Sequence, residues 1–128
     1  MKIRIDRADL VFSQYIRLRD GECRRCHSRV ELNDKGLPVT HQNSHFFGRG
    51  RENTRFDPDN CDTVCFGCHR IWGSDDREGY SHFKIKQLGK RRYNMLNIRA
   101  ETYCKKDRKL ALIVAKKLLQ DLKDEKPT

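Results

Sequence analysis

Thr63 to Trp72 read TVCFGCHRIW, and the five residues from Cys65 to His69 form a C-x-x-C-H pattern. Taken alone, this pattern is either the attachment signature of a c-type haem or half of a thiolate metal site with a histidine beside it. The other cysteines decide between them. Cys23-Arg24-Arg25-Cys26 repeats the same spacing, with 38 residues between the two pairs. Each C-x-x-C turn presents two sulfurs on one side, and two such turns complete the tetrahedral shell of a structural zinc ion. Haem attachment belongs to exported proteins, whereas the stretch MKIRIDRADLVFSQY holds no apolar run of the length an export signal needs. We therefore expect one structural Zn2+ per chain on Cys23, Cys26, Cys65 and Cys68, leaving His69 for another task. Cys61 and Cys104 are surplus and read as small buried residues.

A chain of 128 residues suits one domain, here residues 1–128, but only 36% are hydrophobic and another 36% are charged. The core must be small, so the zinc should carry part of the fold and its removal should unfold much of the chain. No segment approaches a transmembrane span, and the expected partner set includes no membrane. The expected compartment is the reducing cytoplasm, where paired cysteines ligate metals rather than form disulfides. Net charge is +10, and between Lys84 and Lys109 ten basic residues face only Glu101 and Asp107. With Tyr93 and Tyr103 interleaved, that stretch suits a phosphate backbone, or else forms a solvated helix face.

Periodicity divides the chain into an N-terminal helix over about 6–20, a zinc-bound core over about 21–74 and a basic helical part over about 75–124. Asp6 can cap the first helix and Gly21 can end it. After the first knuckle, Asn33 to Gly36 form a turn and an extended segment runs from about Pro38 to Phe47. GRGRENTRFDPDN reads as a loop, with Arg49, Arg51 and Arg55 placed for phosphate contact. A short helix should open at Cys65 to Cys68. Beyond it we expect one helix ending at Gly89, a second from Arg91, and a third with Leu110, Ile113, Val114, Leu118 and Leu122 on one side; Lys90, Arg91 and Arg92 join the residues placed for DNA contact. That stripe would pack on the core or form the interface of a homodimer. The fold class is α+β: a small zinc-stapled core with flanking helices.

The segments NSHFFGR and RFDPDNCDTVCFGCH resemble the His-Asn-His endonuclease superfamily, the ββα-metal nucleases, in the branch where two C-x-x-C knuckles bracket the motif. FSQYIRLRDGECRRC, SHFFGR and TRFDPDNCDTVCFGC are also similar to phage NinG-type recombination proteins, from about Leu10 to about Leu96. The resemblance implies a ββα-metal core in which His45 is the general base, Asn60 holds the loop and orients that base, and His69 ligates a catalytic Mg2+, Mn2+ or Zn2+. It further implies a phage or prophage protein in a bacterial cytoplasm that hydrolyses phosphodiester bonds of DNA, held mainly by its backbone and branched by preference. Histidine titrates close enough to neutrality to deprotonate an attacking water, and a cation stabilises the charge that develops on phosphate.

In many members of the superfamily the residue before the base is a metal-binding aspartate or histidine; here it is Ser44. His41 and Asn43 share a face with His45 if the segment is a regular strand. His41 is the candidate second ligand, with Asn43, Asp57, Asp59 and Asp62 as others. Two other readings stay open at this point: a non-catalytic, zinc-stabilised DNA-binding recombination mediator, and a nuclease of plain duplex DNA.

Overall fold

The computed structural model describes residues 4–125; residues 1–3 and 126–128 of the expected domain lie outside the described residues. Helix α1 spans Arg7–Asp20. Asp6 Oδ1 accepts from the Asp9 N–H at 3.1 Å, and Asp9 Oδ2 accepts from the Asp6 N–H at 2.9 Å. This reciprocal box satisfies two donors that the first turn would otherwise leave open. At the other end Gly21 takes φ +71° and donates to Arg17 O, a left-handed cap that favours glycine.

The chain then makes the Cys23 knuckle and a turn at Asn33 to Gly36 before entering strand β1, Gln42–His45. Strand β2, Cys61–Val64, pairs antiparallel with it, setting Asn43 against Thr63, Ser44 against Asp62 and His45 against Cys61. Between the strands lie a one-turn helix α2, Glu52–Arg55, and a 3-10 turn, Pro58–Asn60, where we expected an unbroken loop. After β2, helix α3 covers Phe66–Arg70 and widens into a π turn at Ile71–Asp75. Two long helices follow: α4, Arg77–Glu101, and α5, Arg108–Glu125. The described residues thus form an α+β fold with five α-helices and a two-stranded antiparallel sheet.

The two helices expected around Gly89 are the two halves of α4, separated at Gly89 by φ 81° and ψ 159°. That combination is open essentially to glycine alone. The stripe expected on α5 is displaced. Ala115 and Leu119 are the buried positions, Leu118 packs beside Phe12, Ile16 and Cys61, and Leu110, Ile113 and Val114 are exposed. Small Ala115 lies against bulky Phe12 and Ile16 of α1, so α5 is rolled away from its largest side chains.

A second cluster joins Cys23 and Cys68 to Phe46, Val64, Trp72, Tyr80, Leu88 and Leu96. Trp72 and Tyr80 stack with centroids 4.5 Å apart. Beneath the sheet, Tyr80 Oη donates to Asp62 Oδ2 at 2.9 Å and to Ser44 O at 3.4 Å, while Gln87 Nε2 donates to Asp62 Oδ1 at 2.9 Å. Lys84 Nζ lies 2.9 Å from Asp62 Oδ2, and both side chains are fully buried. One face of the sheet is therefore committed to α4. Asn43 and His45, two apart on β1, present to the other face.

Candidate functional site

The sulfurs of Cys23, Cys26, Cys65 and Cys68 all lie within 4.8 Å of one another. Cys26 Sγ and Cys65 Sγ are 3.7 Å apart. A tetrahedral zinc with bonds of about 2.3 Å would separate its sulfurs by roughly 3.8 Å, so the donor set has the size and chemistry for zinc. Cys23 Sγ accepts from the Cys26 N–H at 3.4 Å, and Cys68 Sγ from Arg25 Nη1 at 3.5 Å. Hydrogen bonding by Ser28, then by Cys23, draws the Cys26 thiol down to about 6. Burial pushes the Cys68 thiol up to about 12. Four thiolates closing on one ion leave no open position, so this cluster serves as scaffold.

The scaffold fixes the start of α3, where His69 donates its backbone N–H to Cys65 O at 2.9 Å. His69 lines, with Asn43, His45, Gly48, Arg49 and Ile5, a cleft of about 270 Å³. A neighbouring hollow of about 340 Å³ continues it past Ser13, Arg17 and His41. Residues expected from the sequence to act together, His45 and His69, thus line one cavity.

His45 Nε2 is 2.9 Å from the carbonyl oxygen of Arg55. A carbonyl only accepts, so Nε2 carries the hydrogen and Nδ1 keeps its lone pair. Burial, and after it the charge of Arg49, push the His45 pKa down to about 4, so the ring is neutral at pH 7. The same two causes in the same order lower His69. Arg49 therefore lies close to both histidines, and its Nε is buried without a partner. Asn43 Oδ1 is a second buried atom of the cleft without a partner.

Asn60, wholly buried, closes the loop behind His45. Its Nδ2 donates to Phe47 O at 2.9 Å and to Thr54 O at 3.0 Å, and its Oδ1 accepts from the Phe47 N–H at 2.8 Å. The amide thereby fixes both ends of the segment that carries Arg49, next to the carbonyl on which His45 rests.

Several other expected positions differ. Arg55 is 4% exposed; its Nη2 and Nε lie 2.6 Å and 2.8 Å from the Asp9 carboxylate, and it also donates to Arg4 O. It is a buried structural cation and is removed from the phosphate-contacting set. Arg51 is half exposed and paired with Glu101 at 2.5 Å, and Arg92 is paired with Asp59 at 2.5 Å. Lys90 and Arg91 are exposed. His41, at φ +70°, lines the neighbouring hollow, and its ring is tied to the knuckle side: its Nε2 lies 3.0 Å from Ser28 Oγ and its Nδ1 lies 2.9 Å from Thr40 Oγ1. Both ring nitrogens are thus engaged by hydroxyls within the chain. Ser44 is buried, stands in register with Asp62, whose carboxylate meets α4, and does not line the cleft.

The buried role of Asp9 was not anticipated from the sequence, which pointed to Asp6 alone at the start of α1. A wider hollow of about 700 Å³ beyond Arg49 is lined by Arg4, Tyr103, Lys106 and Arg108 among others, which brings the N-terminal segment and the basic stretch together. No helix among the described residues is long and apolar enough to cross a membrane. Comparisons with protein-family models, with curated proteins and with solved structures return no match.

Proposed function

We propose that this protein is a metal-dependent DNA endonuclease. The observation that carries the reading is the committed tautomer of His45, whose Nε2 is spent on Arg55 O in a cleft shared with His69 and Arg49. Nδ1 is left as a base that can take a proton from a water held in the cleft. That water attacks phosphorus, its oxygen forms the new P–O bond, the opposite P–O bond breaks, and the departing oxygen is protonated from solvent. Arg49, with an unspent Nε–H, holds a phosphate oxygen and keeps the backbone in place. His69, neutral and lining the same cleft, is the residue that would hold a divalent cation. When bound, such a cation supplies Lewis-acid stabilisation of charge on the phosphate and the departing oxygen.

Exposed Lys90 and Arg91, with Arg4 and Lys106 lining the hollow beyond Arg49, would follow the DNA backbone without reading sequence. Affinity should accordingly fall steeply with added salt. The resemblance to NinG-type recombination proteins favours branched DNA as the substrate. A four-way junction and a matched linear duplex, incubated with Mg2+ or Mn2+, test the reading. His45→Ala is expected to slow cleavage by about 10²- to 10⁴-fold, the usual contribution of a positioned base. Cleavage of neither DNA under any divalent metal would sink the enzymatic reading; an unimpaired His45→Ala would sink the assignment of the base.

A further inference from the structure

The residue that joins His69 in holding a cation can be found by elimination and by an orphaned atom. Beside Ser44, which does not line the cleft, the sequence offers His41, Asn43, Asp57, Asp59 and Asp62. The nitrogens of His41 are taken by Ser28 and Thr40. Asp57 is paired with Arg99 at 2.7 Å, and Asp59 with Arg92 at 2.5 Å and Arg99 at 3.6 Å. Asp62 lies under the sheet with Lys84, Tyr80 and Gln87. Asn43 remains. It is 5% exposed, lines the cleft with His69, and its Oδ1 has no hydrogen-bond partner.

We propose that Asn43 Oδ1 and the His69 imidazole are the protein ligands of a divalent cation in the cleft, with Arg49 Nε–H directed to the anion that accompanies it. The assignment deepens the nuclease reading and rests on it. A buried amide oxygen without a donor is a standing cost to folding, and a hard cation removes that cost by taking its lone pair. Arg49 Nε is the complementary orphan, a donor that lacks an acceptor. A cation and a phosphate oxygen entering together satisfy both atoms, whereas water or a cation alone satisfies only part of the set. The shift of the ligand from residue 44 to residue 43 follows from the strand: position 44 pairs with Asp62 on the α4 face, and position 43 shares the face of His45.

The test titrates the zinc-loaded full chain with Mn2+, reading the free ion by its EPR signal. Mn2+ prefers oxygen and imidazole donors and does not compete for four thiolates. One Mn2+ per chain is expected for the wild type. Asn43→Leu and His69→Ala should each weaken binding at least about tenfold, and Asn43→Asp, which keeps the oxygen and adds charge, should tighten it about tenfold. His41→Ala and Ser44→Ala should bind as the wild type does. If His69→Ala loses Mn2+ while Asn43→Leu retains wild-type affinity and Asn43→Asp gains none, Asn43 is not a ligand and the proposal falls, with the nuclease reading intact. If the wild type takes up no Mn2+ and cuts no DNA, both fall together.

Discussion

The thiolate cluster and the histidine cleft meet at helix α3 and are built on opposite rules. On the cysteine side four donors converge on one point, and backbone and arginine N–H groups already reach the sulfurs. On the histidine side two buried atoms, Asn43 Oδ1 and Arg49 Nε, have no partner in one cleft, whereas the knuckle holds a single such atom, Arg24 Nε, on a guanidinium lying over the Phe83 ring. The buried ion pairs follow the first rule: Asp9 meets Arg55 twice, and Asp62 is met by Lys84, Tyr80 and Gln87. A group that serves the fold is satisfied within the chain. An acceptor and a donor left unsatisfied together, lining one cleft, destabilise the fold and point to something from outside that binds there.

The contrast predicts how each region responds when broken. The largest effect belongs to the thiolates. Stripping zinc with a chelator, or Cys68→Ser, should abolish the cooperative thermal transition and much of the helical circular dichroism, because a structural zinc contributes on the order of 10 kcal/mol. Restoring zinc should restore the chelated wild type. An unchanged melting curve in protein proven zinc-free by metal analysis would show that the core holds without it. Next comes Arg55→Ala, which leaves the Asp9 carboxylate, 2% exposed, without its bidentate cation. Loss of about 3–5 kcal/mol is expected in urea unfolding.

Acid probes the same pair. Burial raises the Asp9 pKa, but the hydrogen bonds and charge of Arg55 outweigh it and hold the group below the ordinary 3.8. A carboxylate held low contributes stability that is present above that ordinary value and is lost as pH falls through the folded one. Asp9→Asn should therefore flatten the acid limb of a stability-against-pH curve. An acid limb as steep as that of the wild type would assign the acid sensitivity to other carboxylates.

Local rules make the scaffold legible in the sequence. Two C-x-x-C pairs define a sulfur cluster whatever the intervening chain does, and an Asp6 start with a Gly21 stop bounds α1 closely. Gly89 was legible as a break for the same reason, since its backbone geometry is closed to other residues. What failed to show depended on contacts distant in sequence. Arg55 looked like a surface cation because it sits in a loop-like stretch rich in charge; the carboxylate that buries it, Asp9, lies 46 residues away. The roll of α5 was set by Ala115 fitting against Phe12 and Ile16, and hydrophobic periodicity weights Leu110 and Ile113 more heavily than a small residue. His45, Asn60 and His69 were named from a motif. Asn43 was one candidate among five until the burial and pairing of each were known.

Asn60 stands between the two regions and should show an intermediate effect. Asn60→Asp keeps the shape and the acceptor for Phe47 N–H, but replaces the donor to Phe47 O and Thr54 O with a charge. A loss of about 1–3 kcal/mol is expected, the usual cost of leaving buried acceptors unmet. Cleavage should fall as well, because the segment carrying Arg49 loses its tie. Full stability in this variant would mean that the loop is held elsewhere, for instance by Arg51 on Ala100 O and Asn53 on Arg99 O.

The smallest effect should have the opposite sign. In the absence of added divalent metal, Asn43→Leu replaces an orphaned buried oxygen with apolar carbon of similar size, so unfolding in urea should require about 1 kcal/mol more than in the wild type. The gain should vanish when Mn2+ is added to both proteins, since the ion stabilises only the chain that binds it. Ser44→Ala, one residue away and on the committed face of the sheet, should not gain stability. A gain at 43 with none at 44 would distinguish a residue retained for what it binds from one retained for what it packs against. Stability lost at 43 without metal would mean that Asn43 belongs to the satisfied half of the molecule after all.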